Sequence, residues 1–246
     1  MTISNENFME KDISFLSDGF VLKGKLHLPA VCQPPVVIGS HGLFSSKDSP
    51  KQIALARACN RLGMAYFRFD HRGCGGSQGE FAEVTSLASR CRDLKNAVEA
   101  IRNTNETGPL MGLFGSSMGG TVSLAVAVEL RACAIVTFAA PVCSHVHKVG
   151  LDHSADPRAE GNFFDTQKQA FDISSKLPKI KNILIIHGDA DETVALTHAR
   201  EIYRLAAEPK KLIVQQSGDH RMSNVNHQSD FLKEASMWFK FGLLGK

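Results

Sequence analysis

The 246-residue sequence predicts a single α/β domain, residues 1–246, built on a mostly parallel sheet of about eight strands with helices on both faces. Short runs rich in β-branched and apolar residues alternate with helical runs along most of the chain. Several of the strand runs are continuously apolar, which is typical of strands that are buried on both faces. Hydrophobic residues make up 43% of the chain and charged residues 22%, as expected of a domain with a substantial core.

The first third of the chain begins with two strand patterns that flank the turn Ser17-Asp18-Gly19. Because this connection is short, the two strands are expected to pair antiparallel at one edge of the sheet. The elements predicted in this part are strands over 12–18, 20–29, 34–42 and 64–73 and helices over 49–63 and 83–103. The helix over 49–63 begins with a serine and ends with a glycine, the residue types preferred at those two positions.

The remaining elements continue the alternation after residue 108. They are strands over 109–117, 132–141, 181–189 and 210–218 and helices over 118–130, 194–207 and 226–242. An irregular stretch, residues 144–176, interrupts the pattern directly after a strand. A loop of this length in a compact domain is usually functional, so we expect a short lid at the carboxyl edge of the sheet.

The charge pattern and the cysteines exclude several classes of protein. The net charge is only +3, with both signs mixed and no basic stripe, so neither nucleic acid nor a membrane surface is an expected partner. No run reaches the roughly 18 apolar residues of a membrane span, and the N-terminus has no signal-peptide pattern. Six cysteines without C-x-x-C spacing are expected to be reduced, which favours the cytoplasm. A monomer and a homodimer both remain open.

A glycine-serine turn joins the strand over 109–117 to the following helix. The segment Gly115-Ser116-Ser117-Met118-Gly119 matches the G-x-S-x-G pattern of a nucleophile elbow, with Ser117 at the apex and Ser116 as the intervening residue. Backbone N–H groups at a helix N-terminus favour negative charge, so the N–H of Met118 is a candidate oxyanion donor. The alternative is a glycine-rich packing turn between strand and helix.

Two later strands end in the groups that would activate such a serine. The strand over 181–189 ends at Asp189, Asp191 stands two residues later, and the last strand is followed by Asp219-His220. A serine, an acid and then a histidine is the order of catalytic residues along the chain in α/β-hydrolases. The early strand ends in His41-Gly42-Leu43, where a second oxyanion N–H can be placed.

Together these segments resemble α/β-hydrolase-fold serine hydrolases, in particular small bacterial carboxylesterases and cinnamoyl-esterase-like enzymes. The segments that carry the resemblance are SHGLFSSK, FDHRGCGGSQG, GSSMGG, HGDADETV and GDH. The resemblance implies the α/β-hydrolase fold over nearly the whole chain and a triad of Ser117, Asp191 and His220. It also implies that the backbone N–H groups of Leu43 and Met118 form the oxyanion hole, and that no cofactor is required.

The predicted lid contains the candidate pocket residues. Phe163, Phe164 and Phe171 are expected to line an apolar substrate pocket together with Leu43 and Phe44, or simply to anchor the lid. The many charges of this segment interrupt any broad apolar surface, which favours small substrates over lipid interfaces. The segment also carries a polar cluster, whose spacing matches no specific metal site, so no metal is predicted: His145, His147, Asp152, His153 and Asp156.

The sequence therefore predicts an enzyme that hydrolyses small carboxylic esters through an acyl-serine intermediate, with a small-molecule ester as its partner. The same machinery cleaves acyl-peptides and thioesters, so these bond classes remain alternatives. A non-catalytic binding protein with the same fold is a third, less favoured hypothesis.

Overall fold

The computed structural model describes residues 8–144 and 170–245. The strands are β1 (Met9–Ser17), β2 (Phe20–Leu28), β3 (Val36–Ser40), β4 (Ala65–Phe69), β5 (Met111–Ser116), β6 (Ala134–Phe138), β7 (Ile183–Gly188) and β8 (Lys210–Gln215). The α-helices are α1 (Pro50–Arg61), α2 (Phe81–Val84), α3 (Leu87–Asn103), α4 (Met118–Leu130), α5 (Leu196–Leu205) and α6 (Val225–Leu244). A 3-10 helix covers Ser174–Lys179.

The eight strands form one sheet in the order β1-β2-β4-β3-β5-β6-β7-β8. Strands β1 and β2 pair antiparallel, and β2 pairs antiparallel with β4. All other neighbours, from β4 to β8, run parallel. The predicted fold class and the antiparallel pair at one edge are therefore confirmed.

The sheet separates two hydrophobic cores because successive residues of a strand point to opposite faces. In β3, for example, Val36 and Ile38 belong to the core beneath α3, α4 and α5, whereas Val37 belongs to the core beneath α1 and α6. Helices α1 and α6 pack against each other on their face, as do α3 and α4 on the other. Helices thus cover both faces, which explains why the central strands are apolar throughout.

The prediction of one continuous helix over 83–103 is wrong. Helix α2 ends at Val84, the backbone is extended at Thr85 and Ser86, and α3 then begins at Leu87. Ser86 accepts a hydrogen bond from the Ser89 N–H, and the Ser89 hydroxyl accepts one from the Ser86 N–H, which is a capping box. The break is explained by this serine pair, which satisfies N–H groups at a new helix start.

The segment predicted as a lid lies largely outside the described residues, and with it Phe163 and Phe164. Cys143, directly before the segment, and Asp172, near its end, form an isolated antiparallel bridge. The segment's last predicted residues, 174–176, belong to the 3-10 helix. Within the described ranges, no helix is long and apolar enough to span a bilayer.

Candidate active site

Ser117 occupies a sharp turn between β5 and α4. Its backbone has φ of +52° and ψ of −125°. Residues other than glycine rarely adopt this conformation, and they keep it only where the surrounding structure enforces it. Gly119 permits this turn, because a Cβ at that position would lie 2.1 Å from the carbonyl oxygen of Ser40. The predicted strand-turn-helix context of Ser117 is therefore present.

The structure brings Ser117, His220 and Asp191 together from three different parts of the chain. His220 Nε2 lies 3.1 Å from the Ser117 hydroxyl oxygen. On the other side of the ring, His220 Nδ1 lies 2.8 Å from Asp191 Oδ2 and 3.0 Å from Asp191 Oδ1. Since a carboxylate only accepts, Nδ1 carries the proton and Nε2 is left free to accept one from the serine.

Asp191 is held in place by several donors besides His220. Its Oδ1 accepts the backbone N–H groups of Thr193 at 2.9 Å and Val194 at 2.7 Å. His187 Nε2, which donates to the Val194 carbonyl, lies 3.4 Å from Asp191 Oδ2. Burial raises the pKa of Asp191, but the hydrogen bonds from His187 and His220 outweigh it, so the pKa lies well below its ordinary value. Asp191 is thus a stable anion beneath the imidazole.

The predicted oxyanion donors belong to the start of a helix and to a loop that approaches Ser117. Met118 is the first residue of α4, and Leu43 follows β3. Gly42 approaches the elbow closely, since a Cβ there would lie 3.6 Å from the Cβ of Ser117. Among residues 8–144 and 170–245, no hydrogen bond occupies the N–H of Leu43 or of Met118.

A buried polar network lies behind the Leu43 loop. His71 Nδ1 lies 3.4 Å from Asp93 Oδ2, and His71 Nε2 lies 2.9 Å from the Ser40 hydroxyl. Arg72 forms an ion pair with Asp93 at 2.6 Å and with Asp18 at 3.0 Å. His71, Asp93 and Ser40 are fully buried, so this second serine-histidine-aspartate group has no access to substrate and supports the loops instead.

Two cations near the site were not found by sequence reasoning. Lys51, in the first turn of α1, lies 3.5 Å from the Ser116 hydroxyl and 3.7 Å from the centroid of the Phe138 ring. Burial lowers its pKa to about 7, although Asp219 and Asp191 attract its charge. Arg90, in α3, donates to the loop that contains Leu43. Both lie far along the chain from Ser117, and no local motif marks them.

The candidate pocket residues that are described pack against the protein interior. Phe44 contacts the Phe81 ring, with centroids 5.5 Å apart, and Phe171 is partly buried against the core beneath α3 and α4. Their role in a substrate pocket stays a prediction, as it does for Phe163 and Phe164. The polar cluster of the lid also lies outside the described residues. Within the described part of the chain, no group of His, Cys, Asp and Glu is arranged to hold a metal ion.

The eight-stranded sheet and the serine elbow define a serine hydrolase of the α/β-hydrolase fold. The chain belongs to the Hydrolase_4 family, described as serine aminopeptidase, S33, whose model matches residues 33–163. A solved structure of the esterase PF2001 from Pyrococcus furiosus superposes with a TM-score of 0.81 at 20% identity, covering 98% of this chain and 94% of that one.

Two related sequences are similar to the chain over most of its length. The chain is 28% identical over 181 residues to the uncharacterized protein YfhR of Escherichia coli O157:H7, covering 70% of this chain and 59% of that protein. It is 25% identical over 212 residues to the mitochondrial palmitoyl-protein thioesterase ABHD10 of Mus musculus, covering 76% of this chain and 69% of that protein. The match thus spans little more than half the length of the bacterial relative.

Proposed function

We propose that the protein is a serine esterase that hydrolyses small carboxylic esters through a covalent acyl-serine intermediate. The observation that carries this proposal is the continuous hydrogen-bond chain from the Ser117 hydroxyl through His220 to Asp191, with distances of 3.1 Å and 2.8 Å. A serine hydroxyl alone is a weak nucleophile, and this chain supplies both a base and the acid that orients it.

In the proposed acylation step, Ser117 Oγ attacks the ester carbonyl carbon while its proton passes to His220 Nε2. Asp191 stabilises the imidazolium that results. The negative charge that develops on the carbonyl oxygen is stabilised by the N–H groups of Leu43 and Met118. The tetrahedral intermediate then collapses, the bond to the alcohol oxygen breaks, and His220 returns the proton to that oxygen.

Deacylation repeats the sequence with water. His220 removes a proton from a water molecule, which attacks the acyl carbon, and the acid leaves as Ser117 regains its proton. These steps require neither a metal nor an organic cofactor. The proposed partner is therefore a single small-molecule ester, and the proposed location is the cytoplasm, because none of the six cysteines, all within the described ranges, forms a disulfide.

Labelling with a fluorophosphonate tests the catalytic assignment. The wild-type protein is expected to form a covalent adduct on Ser117, located by peptide mass spectrometry, and S117A is expected to form none. S116A is the matched control, since it removes the neighbouring hydroxyl and should still react. An adduct on Ser116 would contradict the assignment, and a wild-type protein that forms none would indicate a non-catalytic binding protein.

Thioester hydrolysis is the second candidate function, favoured by the similarity to the mouse palmitoyl-protein thioesterase. Peptide-bond hydrolysis is a third, favoured by the family description. All three use the same acyl-serine chemistry. Comparison of kcat/KM for an ester, a thioester and an anilide of the same short acyl group decides among them; the ester is expected to be hydrolysed fastest.

A further inference from the structure

Arg90, a buried arginine of α3, donates to the loop that contains the proposed oxyanion donor Leu43. Arg90 Nη2 donates to the Leu43 carbonyl at 2.9 Å, and Arg90 Nη1 lies 3.3 Å from the carbonyl oxygens of both His41 and Gly42. One guanidinium therefore contacts three consecutive carbonyl groups. Arg90 Nη2 also lies 3.4 Å from the Cys74 sulfur.

These contacts determine the direction of the Leu43 N–H. In a trans peptide the C=O of one residue and the N–H of the next point in opposite directions. The Gly42 carbonyl accepts from Arg90 Nη1, from His41 Nδ1 at 2.7 Å and from the Ser45 N–H at 3.3 Å. With three donors on its carbonyl, the Gly42–Leu43 peptide has little freedom to rotate, and the Leu43 N–H points away from the donors.

A buried guanidinium at this position is costly to the fold. The side chain is 1% exposed, and within the described ranges no carboxylate lies within ion-pair distance of its guanidinium. Burial lowers the pKa of Arg90, which expresses the cost of removing this charge from water. Arg90 also lies in the first turn of α3, where the helix dipole disfavours a cation. The charge of Asp93, the Cys74 sulfur and the three loop carbonyls offset part of this cost.

We infer that Arg90 is a positioning residue for the oxyanion hole: by binding the carbonyls of His41, Gly42 and Leu43, it fixes the Leu43 N–H for the tetrahedral intermediate. This inference rests on the proposed function, because it assumes acyl transfer at Ser117. Arg90 itself touches no reacting atom. Its contribution is to keep a donor oriented before the negative charge develops, so that no reorganisation is required during the reaction.

The test compares R90M and R90K with R68M as the control. Arg68 is also buried and donates to His27, to the Lys47 carbonyl and to Asp48, but within the described residues its side chain donates to none of residues 41–43. Removal of one oxyanion donor costs about 100- to 1000-fold in kcat. We expect R90M to lose kcat on a short-chain nitrophenyl ester to that extent with KM changed less than threefold. R90K should retain an intermediate rate, whereas R68M should lose stability with a near-normal kcat per folded molecule.

Two further measurements separate positioning from folding. Affinity for a trifluoromethyl ketone, whose serine adduct carries an oxyanion, should fall in R90M by about the same factor as kcat, because both depend on the Leu43 donor. Fluorophosphonate labelling of R90M should slow in parallel. If R90M does not fold, the measurements on R90K alone decide whether Arg90 positions the loop. R90K keeps the positive charge, but its ammonium group lacks the planar array of donors that the guanidinium presents to the three carbonyls.

The inference is overturned if R90M or R90K binds the ketone and reacts with the fluorophosphonate as the wild type does, or if R68M loses kcat equally. A wild-type protein that is labelled at Ser117 but hydrolyses no ester would instead refute the proposed ester specificity. In that case the labelling rates of the variants still decide the role of Arg90.

Discussion

Asp191 Oδ2 lies 2.8 Å from Nδ1 of His220, whereas Asp189, only two residues earlier, binds the backbone N–H of Ser217 at 2.6 Å instead. The two carboxylates therefore have different partners although both follow β7. Asp191 is also turned inward and buried, while Asp189 is exposed. The two acids therefore differ in position, and the proposed function assigns a catalytic role to Asp191 alone.

D191N is expected to lower kcat by on the order of 10⁴-fold, because an amide in this position can favour the wrong tautomer of His220. D189N, the matched control, should lower kcat less than tenfold, since Asp189 caps a turn and does not reach the imidazole. Steady-state kinetics on a short-chain ester check both values. Equal losses in the two variants would contradict the assignment of Asp191.

Two glycines at the site are expected to respond differently to alanine. In G119A the new Cβ would meet the Ser40 backbone at 2.1 Å, so the elbow must shift and we expect a large loss of stability. In G42A the Cβ would lie 3.6 Å from the Cβ of Ser117, an ordinary contact, so the protein should fold but accept substrate poorly. Thermal unfolding and kcat/KM measured on both variants distinguish the two effects.

This pair also tests the close approach of the Leu43 loop to Ser117. A G42A variant with normal kcat/KM would show that the space above Ser117 is wider than the structure indicates. A G119A variant as stable as the wild type would show that β3 and the elbow are not packed as described.

Because of Lys51, the free energy of unfolding should rise with pH above about pH 7. Burial lowers its pKa to about 7, so between pH 7 and its ordinary value of 10.5 the unfolded chain binds more protons than the folded one. Stability contributed by this position therefore rises with pH across that window. K51M is expected to be more stable than the wild type at pH 6, with the difference decreasing toward pH 10.

Urea unfolding of the wild type and K51M at pH 6, 7.5 and 9 measures this difference directly, because other titrating groups are common to both proteins. K47M serves as the control, since Lys47 is paired with Asp70 at 2.9 Å and with Asp48 at 3.1 Å and its pKa is raised. A constant difference between K51M and the wild type would contradict the lowered pKa of the Lys51 amine beside Ser116.

Asp93 is expected to be essential for stability. It is fully buried and accepts hydrogen bonds from Arg72, His71 and Ser17. Removal of one partner from a buried ion pair costs about 3–5 kcal/mol, because the other charge is left uncompensated. D93N should therefore lower the free energy of unfolding by about 3 kcal/mol at pH 7, the lower end of that range, because Arg72 keeps its ion pair with Asp18 at 3.0 Å.

The effect of D93N should also depend on pH. Burial raises the pKa of Asp93, but hydrogen bonds from His71, Arg72 and Ser17 outweigh it, so the pKa lies well below the ordinary value. The stabilisation is thus complete above about pH 5 and declines as pH falls below about 4. Denaturant unfolding at pH 7 and pH 3.5 should show a smaller difference between D93N and the wild type at the lower pH. A difference that grows with acidity would contradict this ion pair.

Local patterns were enough to predict much of the fold and part of the candidate site. The alternation of strand and helix depends on the periodicity of neighbouring residues, and the eight-stranded, mostly parallel sheet is confirmed. The helix break at Thr85–Ser86 was missed, because helical periodicity on both sides masks a capping box made of two serines. The placement of the lid and of Phe163 and Phe164 stays a prediction.

What the sequence determined by itself about this protein is local: the α/β alternation, the elbow with Ser117 at its apex, and the chain order of serine, acid and histidine. The tertiary structure decided the rest. It placed Asp191 rather than Asp189 against His220, and it brought Arg90 of α3 to the carbonyls of the Leu43 loop. The physical reason is that a side chain's partners depend on which strand ends and helix faces meet after packing, and these contacts join residues tens to more than one hundred positions apart, as with Ser117 and His220 at a separation of 103.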